Sequence, residues 1–100
     1  MIKHIVIWKL KDVARSNDRA SNAGLIKDKL EALQGQIPGL LKIECGLDFS
    51  ATAASGDLVL YSEFDSRESL AAYQVHPLHQ AIVPSVAAAA LERRVVDYEI

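Results

Sequence analysis

Alternating apolar and polar positions predict four strands along the chain. Residues 2–10 are rich in β-branched and aromatic side chains, and residues 93–99 predict a last strand. Residues 40–49 and 57–64 alternate as well, and the small residues at 50–56 between them predict a hairpin. Because residues 2–10 carry apolar side chains on both faces, we expect that strand to be covered on both sides.

The alternation also assigns side chains to faces of the strands. In the first strand it groups His4 with Val6 and Trp8, but it does not decide which face meets the helices. In the third strand Leu58 and Leu60 share a face. The second strand is expected to have one apolar and one wetter face, and its apolar face consists of Leu41, Ile43, Cys45, Leu47 and Phe49.

Two helices are predicted between the strands. Apolar residues recur at steps of three and four over residues 17–34, which is one helical stripe. Ser16 or Asn17 is placed to cap this helix. Asp65 or Ser66 is placed to cap the second helix, which follows the third strand directly.

Two prolines interrupt the second helical region. Pro77 disfavours helical geometry at the residue before it, so we expect the helix to pause at His76 and a new one to begin at Pro77. Pro84 predicts a further kink or break. Good helix formers follow at residues 85–92, where we expect the helix to resume.

The resulting order is β-α-β-β-α-β, which is typical of a ferredoxin-like α+β fold with a four-stranded antiparallel sheet and helices on one face. No linker or repeat divides the chain, so residues 1–100 are expected to form a single domain. The other sheet face needs a cover that so short a chain does not supply. We therefore expect a homodimer in which two sheets pack face to face.

Composition narrows the classes of function. The formal net charge of the 100-residue chain is −2, without the basic surplus of a nucleic-acid-binding protein. Cys45 is the single cysteine and fits a reducing compartment. No stretch is apolar enough for a signal peptide or a membrane span, so we expect a cytoplasmic protein without a membrane partner. No glycine-rich phosphate loop is present, and no cofactor is expected.

A candidate pocket follows from the helix that begins at Pro77. One face of that helix must pack on the sheet. If the His4 face of the first strand also points at the helices, His4 and His79 meet in one place, and Tyr73 joins them from the end of the preceding helix. The packed face consists of His79, Ile82, Val83, Val86 and Ala90.

His79, Tyr73 and His4 are the candidate catalytic residues. Histidine acts as a general base near neutral pH, and a tyrosine hydroxyl donates a hydrogen bond to an oxyanion. The alternative is that His79 is a hydrogen-bonded core residue and that Tyr73 only fills space. A pocket here would bind a small organic ligand, and its predicted lining consists of Val6, Trp8, Leu58, Leu60, His76 and Ile82.

A metal site is a further alternative. His76 and His79 are three residues apart, with His4 and Glu63 as possible additional donors, but Pro77 disturbs the helical geometry that would align the two histidines. The chain has no HExxH motif and no cysteine pair. No metal ligand is therefore assigned.

Several segments resemble the stress-responsive dimeric α/β-barrel (Dabb) proteins. They are "KHIVIWKLKD" at the start, "IPGL" in the middle, and "SRESLAAYQVHPLHQ" with the closing "VVDYE". The resemblance runs from residue 2 to residue 99. It implies a ferredoxin-like monomer whose sheet packs on a partner's sheet to form a dimeric α/β barrel.

The resemblance also implies roles for residues. A plant polyketide cyclase of this family performs a cofactor-free aldol cyclisation with a tyrosine and a histidine that correspond to Tyr73 and His79, and its first-strand histidine corresponds to His4. This chain has Leu58 where that enzyme has another histidine. Four hypotheses stay open. Two are enzymes: a cofactor-free enzyme acting on a carbonyl compound, and an enzyme resembling antibiotic-biosynthesis monooxygenases. The other two are a non-catalytic ligand-binding or stress-related protein and a metal-binding protein.

Overall fold

The structure is a computed structural model that describes residues 1–100. Six strands and four helices follow one another along the chain. Their bounds are β1 Ile2–Leu10, β2 Val13–Ala14, β3 Asn17–Asp18, α1 Arg19–Glu31, β4 Leu40–Leu47, β5 Leu58–Phe64, α2 Arg67–Val75, α3 Pro77–Gln80, α4 Val83–Ala89 and β6 Ala90–Glu99.

The sheet has the strand order β4-β5-β1-β6, and each neighbouring pair is antiparallel. The helices pack against one face of this sheet, while β2 and β3 form a separate two-stranded ribbon. This is the predicted ferredoxin-like α+β fold, which is confirmed. The predicted hairpin between the second and third main strands corresponds to the β4–β5 pair.

The helix-facing side of β1 is the one that carries His4. Ile2, His4, Val6, Trp8 and Leu10 are all buried, whereas the residues between them are more exposed. The same alternation holds on β5, where Leu58 and Leu60 are buried. The structure thus settles a choice that the alternation left open, and it places His4 under the helices.

The predicted first helix is wrong at both ends. It begins at Arg19 and ends at Glu31, because β2 and β3 pair as a tight ribbon immediately before it. Neither predicted cap is used, because Ser16 lies in that turn with a φ of 65° and Asn17 lies in β3. Asp18 caps the helix instead, since its Oδ1 accepts a hydrogen bond from the Ser21 amide at 2.8 Å.

The predicted alternation of the second main strand is only partly correct. Ile43 and Cys45 are buried as expected. The register shifts between Leu40 and Lys42, which buries Leu40 and exposes Leu41. The other two predicted members of that face, Leu47 and Phe49, are exposed as well.

The second helical region breaks at both prolines. Helix α2 is capped by Ser66, one of the two predicted caps, and ends before His76. Pro77 opens α3, as predicted, and Pro84 lies in the first turn of α4. The predicted helix over residues 85–92 is too long, because residues from Ala90 onward already pair with β1 in the sheet.

The opposite sheet face has no cover within one chain. Its centre is apolar, with Ile7 44% exposed and Val96 59% exposed. Charged residues lie around this centre, including Lys3 and Glu63, whose side chains approach to 3.8 Å. Among the helices, none has both the length and the apolar character that a bilayer crossing requires.

Candidate functional site

An apolar cavity of about 230 Å³ lies between the sheet and the helices α1, α3 and α4. Only two of its lining side chains are polar, those of His79 and Arg93. The apolar lining includes Val83, Val86 and Ala90, which are the residues that the sequence placed on one face with His79. Four predicted lining residues also border the cavity: Val6, Trp8, Leu60 and Ile82.

The break at Pro77 sets the position of His79. His76 is extended, with φ −66° and ψ 136°, and its Nδ1 accepts a hydrogen bond from the Leu78 amide at 3.1 Å. This contact caps the single turn of α3. His79 follows in the same turn and lines the cavity. His76 therefore caps a helix, whereas His79 lines the cavity, although the two are close in sequence.

The environment of His79 favours a neutral imidazole with a free lone pair. Its Nδ1 donates a hydrogen bond to the Gln74 carbonyl at 3.2 Å, which leaves Nε2 as the unprotonated nitrogen. Burial, followed by the charges of His4 and Arg93, lowers the pKa of His79 below its ordinary value of 6.5, although the bond to Gln74 acts in the opposite direction. At neutral pH this histidine is a base without a proton on Nε2.

Tyr73 packs against His79 from the interior. The two ring centroids are 4.4 Å apart, and Tyr73 is fully buried. Its hydroxyl is buried without any hydrogen-bond partner in the chain. Burial raises the pKa of this phenol, so the hydroxyl keeps its proton at neutral pH. It is therefore an unused hydrogen-bond donor that lies behind the neutral base and does not line the cavity.

His4 lies behind Tyr73 and does not border the cavity. Its ring centroid is 6.2 Å from that of Tyr73. Its Nδ1 lies 2.5 Å from Oδ1 of Asp97, the residue directly opposite on β6. His4 is only 3% exposed, so this bond satisfies an otherwise isolated buried imidazole. The three predicted catalytic residues are thus brought together, with the Tyr73 ring between the two histidines.

Two predicted lining residues lie outside this cavity. Leu58 is buried on the correct face of β5 but does not border the cavity. His76 is absent from the lining because its ring turns to cap α3. Neither Leu58 nor His76 therefore lines the cavity.

The side chains considered as metal ligands do not lie together in the structure. Glu63 lies on the opposite sheet face, where it accepts a hydrogen bond from the Tyr61 hydroxyl at 2.5 Å. His4 is engaged by Asp97, and His76 caps a helix. No group of three or more histidine, cysteine, aspartate or glutamate side chains is arranged to share a metal ion.

Arg93 also lines the cavity, although the sequence analysis did not single it out. In β6 it lies directly opposite Trp8 of β1, so both side chains occupy the helix-facing side. Asp97 of the same strand pairs with His4, and Arg93 lies four residues before it. Alternation along the strand therefore places Arg93 and Asp97 on the same face. The sequence alone does not show which residues of the first and last strands pair, so it did not identify this face.

Comparisons with known proteins agree with this architecture. The family model of the stress-responsive A/B barrel domain matches residues 2–100. An uncharacterised protein of Streptomyces coelicolor is 35% identical over 81 residues, which is 81% of either chain. A crystal structure from Bacteroides fragilis, described as a dimeric protein of unknown function with a ferredoxin-like fold, has a TM-score of 0.87 at 34% identity and covers 99% of this chain and 95% of that chain. The resemblance seen in the sequence is confirmed.

Two more distant structures are described as enzymes. A hydroxynitrile lyase from Passiflora edulis has a TM-score of 0.80 at 18% identity, with 99% of this chain and 92% of that chain covered. A putative antibiotic biosynthesis monooxygenase from Nitrosomonas europaea has a TM-score of 0.78 at 20% identity, with 100% and 98% covered. At these identities the likeness extends to the fold alone.

Proposed function

Since the chain belongs to the stress-responsive A/B barrel domain family, we propose that it is a homodimer whose cavity binds a small organic molecule and performs cofactor-free acid/base chemistry on a carbonyl compound. The observation that carries this proposal is the position of His79. It is one of two polar side chains in an apolar cavity, and its Nε2 has no hydrogen-bond partner in the chain. A base in such a place is available to a bound molecule.

The proposed step is the removal of a proton from the carbon next to a carbonyl group. His79 Nε2 takes the proton, the C–H electron pair forms a carbon–carbon double bond, and the carbonyl π pair moves onto the oxygen as an enolate. The lowered pKa of His79 keeps the imidazole neutral and able to accept the proton at neutral pH. The protonated imidazole then returns the proton to the same or another position.

Tyr73 and His4 support this base. Tyr73 does not line the cavity, and its fully buried ring packs against the ring of His79 and holds the base in position. His4, held by Asp97, packs edge-on against Tyr73 and positions its ring. Tyr73 and His4 are thus positioning residues, and His79 is the proposed catalytic residue.

Deuterium exchange tests the proposed base. The protein would be incubated with 2-hexanone in D₂O, and loss of the α-proton signals would be followed by NMR. We expect His79→Gln to slow the protein-dependent exchange by at least about a hundredfold, the lower end for general-base catalysis. His76→Asn is the matched control, because it removes a neighbouring imidazole outside the cavity and replaces it with a good capping residue.

The outcomes separate the hypotheses. Exchange that depends on His79 and not on His76 supports the acid/base enzyme. Binding of 2-hexanone without exchange contradicts catalysis and favours the non-catalytic ligand-binding protein. An equal loss in both variants would mean that the local fold, and not the His79 base, had been measured.

The homodimer is proposed from the open sheet face. Its apolar centre is exposed in one chain, and the similar Bacteroides fragilis protein is described as dimeric. Val96→Glu would place a charge in this centre and should give a monomer in sedimentation experiments. Leu25→Glu is the control, since Leu25 is comparably exposed but lies on α1 in the helix layer. A wild-type protein that sediments as a monomer would contradict this arrangement.

A further inference from the structure

The guanidinium of Arg93 is a cation at the cavity without a carboxylate partner. Arg19 is paired with Asp12 and Arg67 with Glu99. Arg15 and Arg94 make no ion pair either, but they do not line the cavity. Arg93 makes no ion pair with any acidic side chain, although it is one of the two polar side chains that line the cavity. A positive charge next to an apolar space attracts a ligand that carries a negative charge.

A second unused donor lies beside Arg93. Trp8 and Arg93 are direct cross-strand partners on β1 and β6, so their side chains are neighbours on the same sheet face. The Trp8 indole also lines the cavity, and its Nε1–H is buried without an acceptor in the chain. Buried donors normally have a partner, so an acceptor supplied from outside the chain would satisfy it.

We propose that the cavity selects small monocarboxylates with an apolar body, and that Arg93 and Trp8 together receive the carboxylate. This substrate class rests on the proposed function only in using the same cavity. The remaining lining is apolar apart from His79, which suits an alkyl or single-ring body. The cavity of about 230 Å³ is smaller than the roughly 300–1,000 Å³ of sites for drug-sized ligands, so the acid is short.

One negative charge matches this site better than two. Arg93 is the only cationic side chain in the lining, and its planar fork fits the two oxygens of a carboxylate. A phosphate ester carries more charge and would need further cations or a cluster of backbone amides. The donor set therefore favours a carboxylate.

Hexanoate and 1-hexanol are suitable probes, because they share the apolar chain and differ at the head group. The chain contains one tryptophan, so the single indole N–H resonance in a ¹H–¹⁵N spectrum reports on Trp8 alone. Hexanoate should move this resonance downfield as the hydrogen bond forms, and it should bind at least about tenfold more tightly than 1-hexanol.

Two neighbouring arginines provide matched variants. Arg93→Gln should abolish the preference for hexanoate over 1-hexanol. Arg94→Gln removes the same charge from the next residue, which pairs with Ile7 and points to the other face of the sheet, and it should leave the preference intact. Equal affinity for the two probes, failure of hexanoate to bind, or an equal effect of both variants would each overturn the carboxylate site.

A keto acid distinguishes this site from the proposed chemistry. With 5-oxohexanoate, α-proton exchange should be about tenfold more efficient than with its methyl ester, and Arg93→Gln should remove the difference. Binding of hexanoate that depends on Arg93, in a protein that exchanges no protons, would support the carboxylate site and reject the acid/base function. Equal exchange of acid and ester, lost in His79→Gln, would support the function and reject the carboxylate site.

Discussion

The ring of His79 lies against the ring of Tyr73, with centroids 4.4 Å apart and planes inclined by 44°. One side chain lines the apolar cavity, and the other is fully buried behind it. The contact joins a neutral base to a protonated hydroxyl that has no partner. This pairing is the centre of the proposed site, and it can be tested without knowing the natural substrate.

His79→Ala should cost little stability. The Gln74 carbonyl that accepts from His79 also accepts from Gln80 Nε2 at 2.6 Å, so its bonding is kept when the imidazole is removed. We expect a loss of less than about 1 kcal/mol in the free energy of unfolding, measured by urea denaturation. Leu30→Ala, in the buried core, should cost about 2–5 kcal/mol as a reference. A comparable loss in His79→Ala would identify a structural core histidine and contradict the open cavity.

Tyr73→Phe should leave stability unchanged or raise it by up to about 1 kcal/mol. The variant removes a buried hydroxyl that has no hydrogen-bond partner, and so it removes a desolvation cost while keeping the ring. Urea denaturation measures this effect. A clear loss of stability would show that the hydroxyl is satisfied in the resting protein.

His4→Ala should be the most damaging of the three histidine substitutions. It empties a buried position and leaves Asp97 without its partner, which should cost on the order of 2–4 kcal/mol. Asp97→Asn keeps an acceptor oxygen and the ring in place, so its effect on urea denaturation should be smaller. If Asp97→Asn costs as much as His4→Ala, the carboxylate and not the burial of the ring is what stabilises His4.

The unfolding free energy should fall at acid pH through His79. Burial lowers the pKa of His79 in the folded state below its ordinary 6.5, so below that pH the unfolded state binds more protons. This contribution is complete above about pH 6.5 and is lost as the pH falls through the folded pKa. Between pH 7 and pH 5, wild type should lose more stability to urea than His79→Gln does. His76→Asn should behave as wild type, and equal losses in wild type and His79→Gln would contradict the lowered pKa.

Much of the fold could be predicted because local patterns and tertiary structure agree. Alternation on β1 and β5 matches their buried face, and the two prolines stand where the helices break. The incorrect predictions fall where the pairing of strands overrides the local secondary-structure preference of the residues. Ala90 has strong helix propensity, yet it pairs with Leu10 in the sheet. The register shift near Leu40 likewise depends on the partner strand β5.

The periodicity of the helices and strands predicted part of the site. The spacing from Pro77 placed His79 correctly on the packed face, and it grouped the apolar residues that border the cavity. Arg93 was not identified, because its face depends on its register with Trp8 across two strands that are far apart in sequence. His76 was wrongly included in the lining, since only the structure reveals that its side chain caps α3.

The most direct test of the proposed base is the pH titration of the three histidine side chains by NMR, with and without 2-hexanone. If His79 is a neutral base in an accessible cavity, it should titrate below the ordinary value of 6.5, and its resonances should move when 2-hexanone is added. His76, which lies outside the cavity, should not respond to the ligand. A His79 that titrates at or above 6.5 and ignores 2-hexanone would contradict the assignment of His79 as the base.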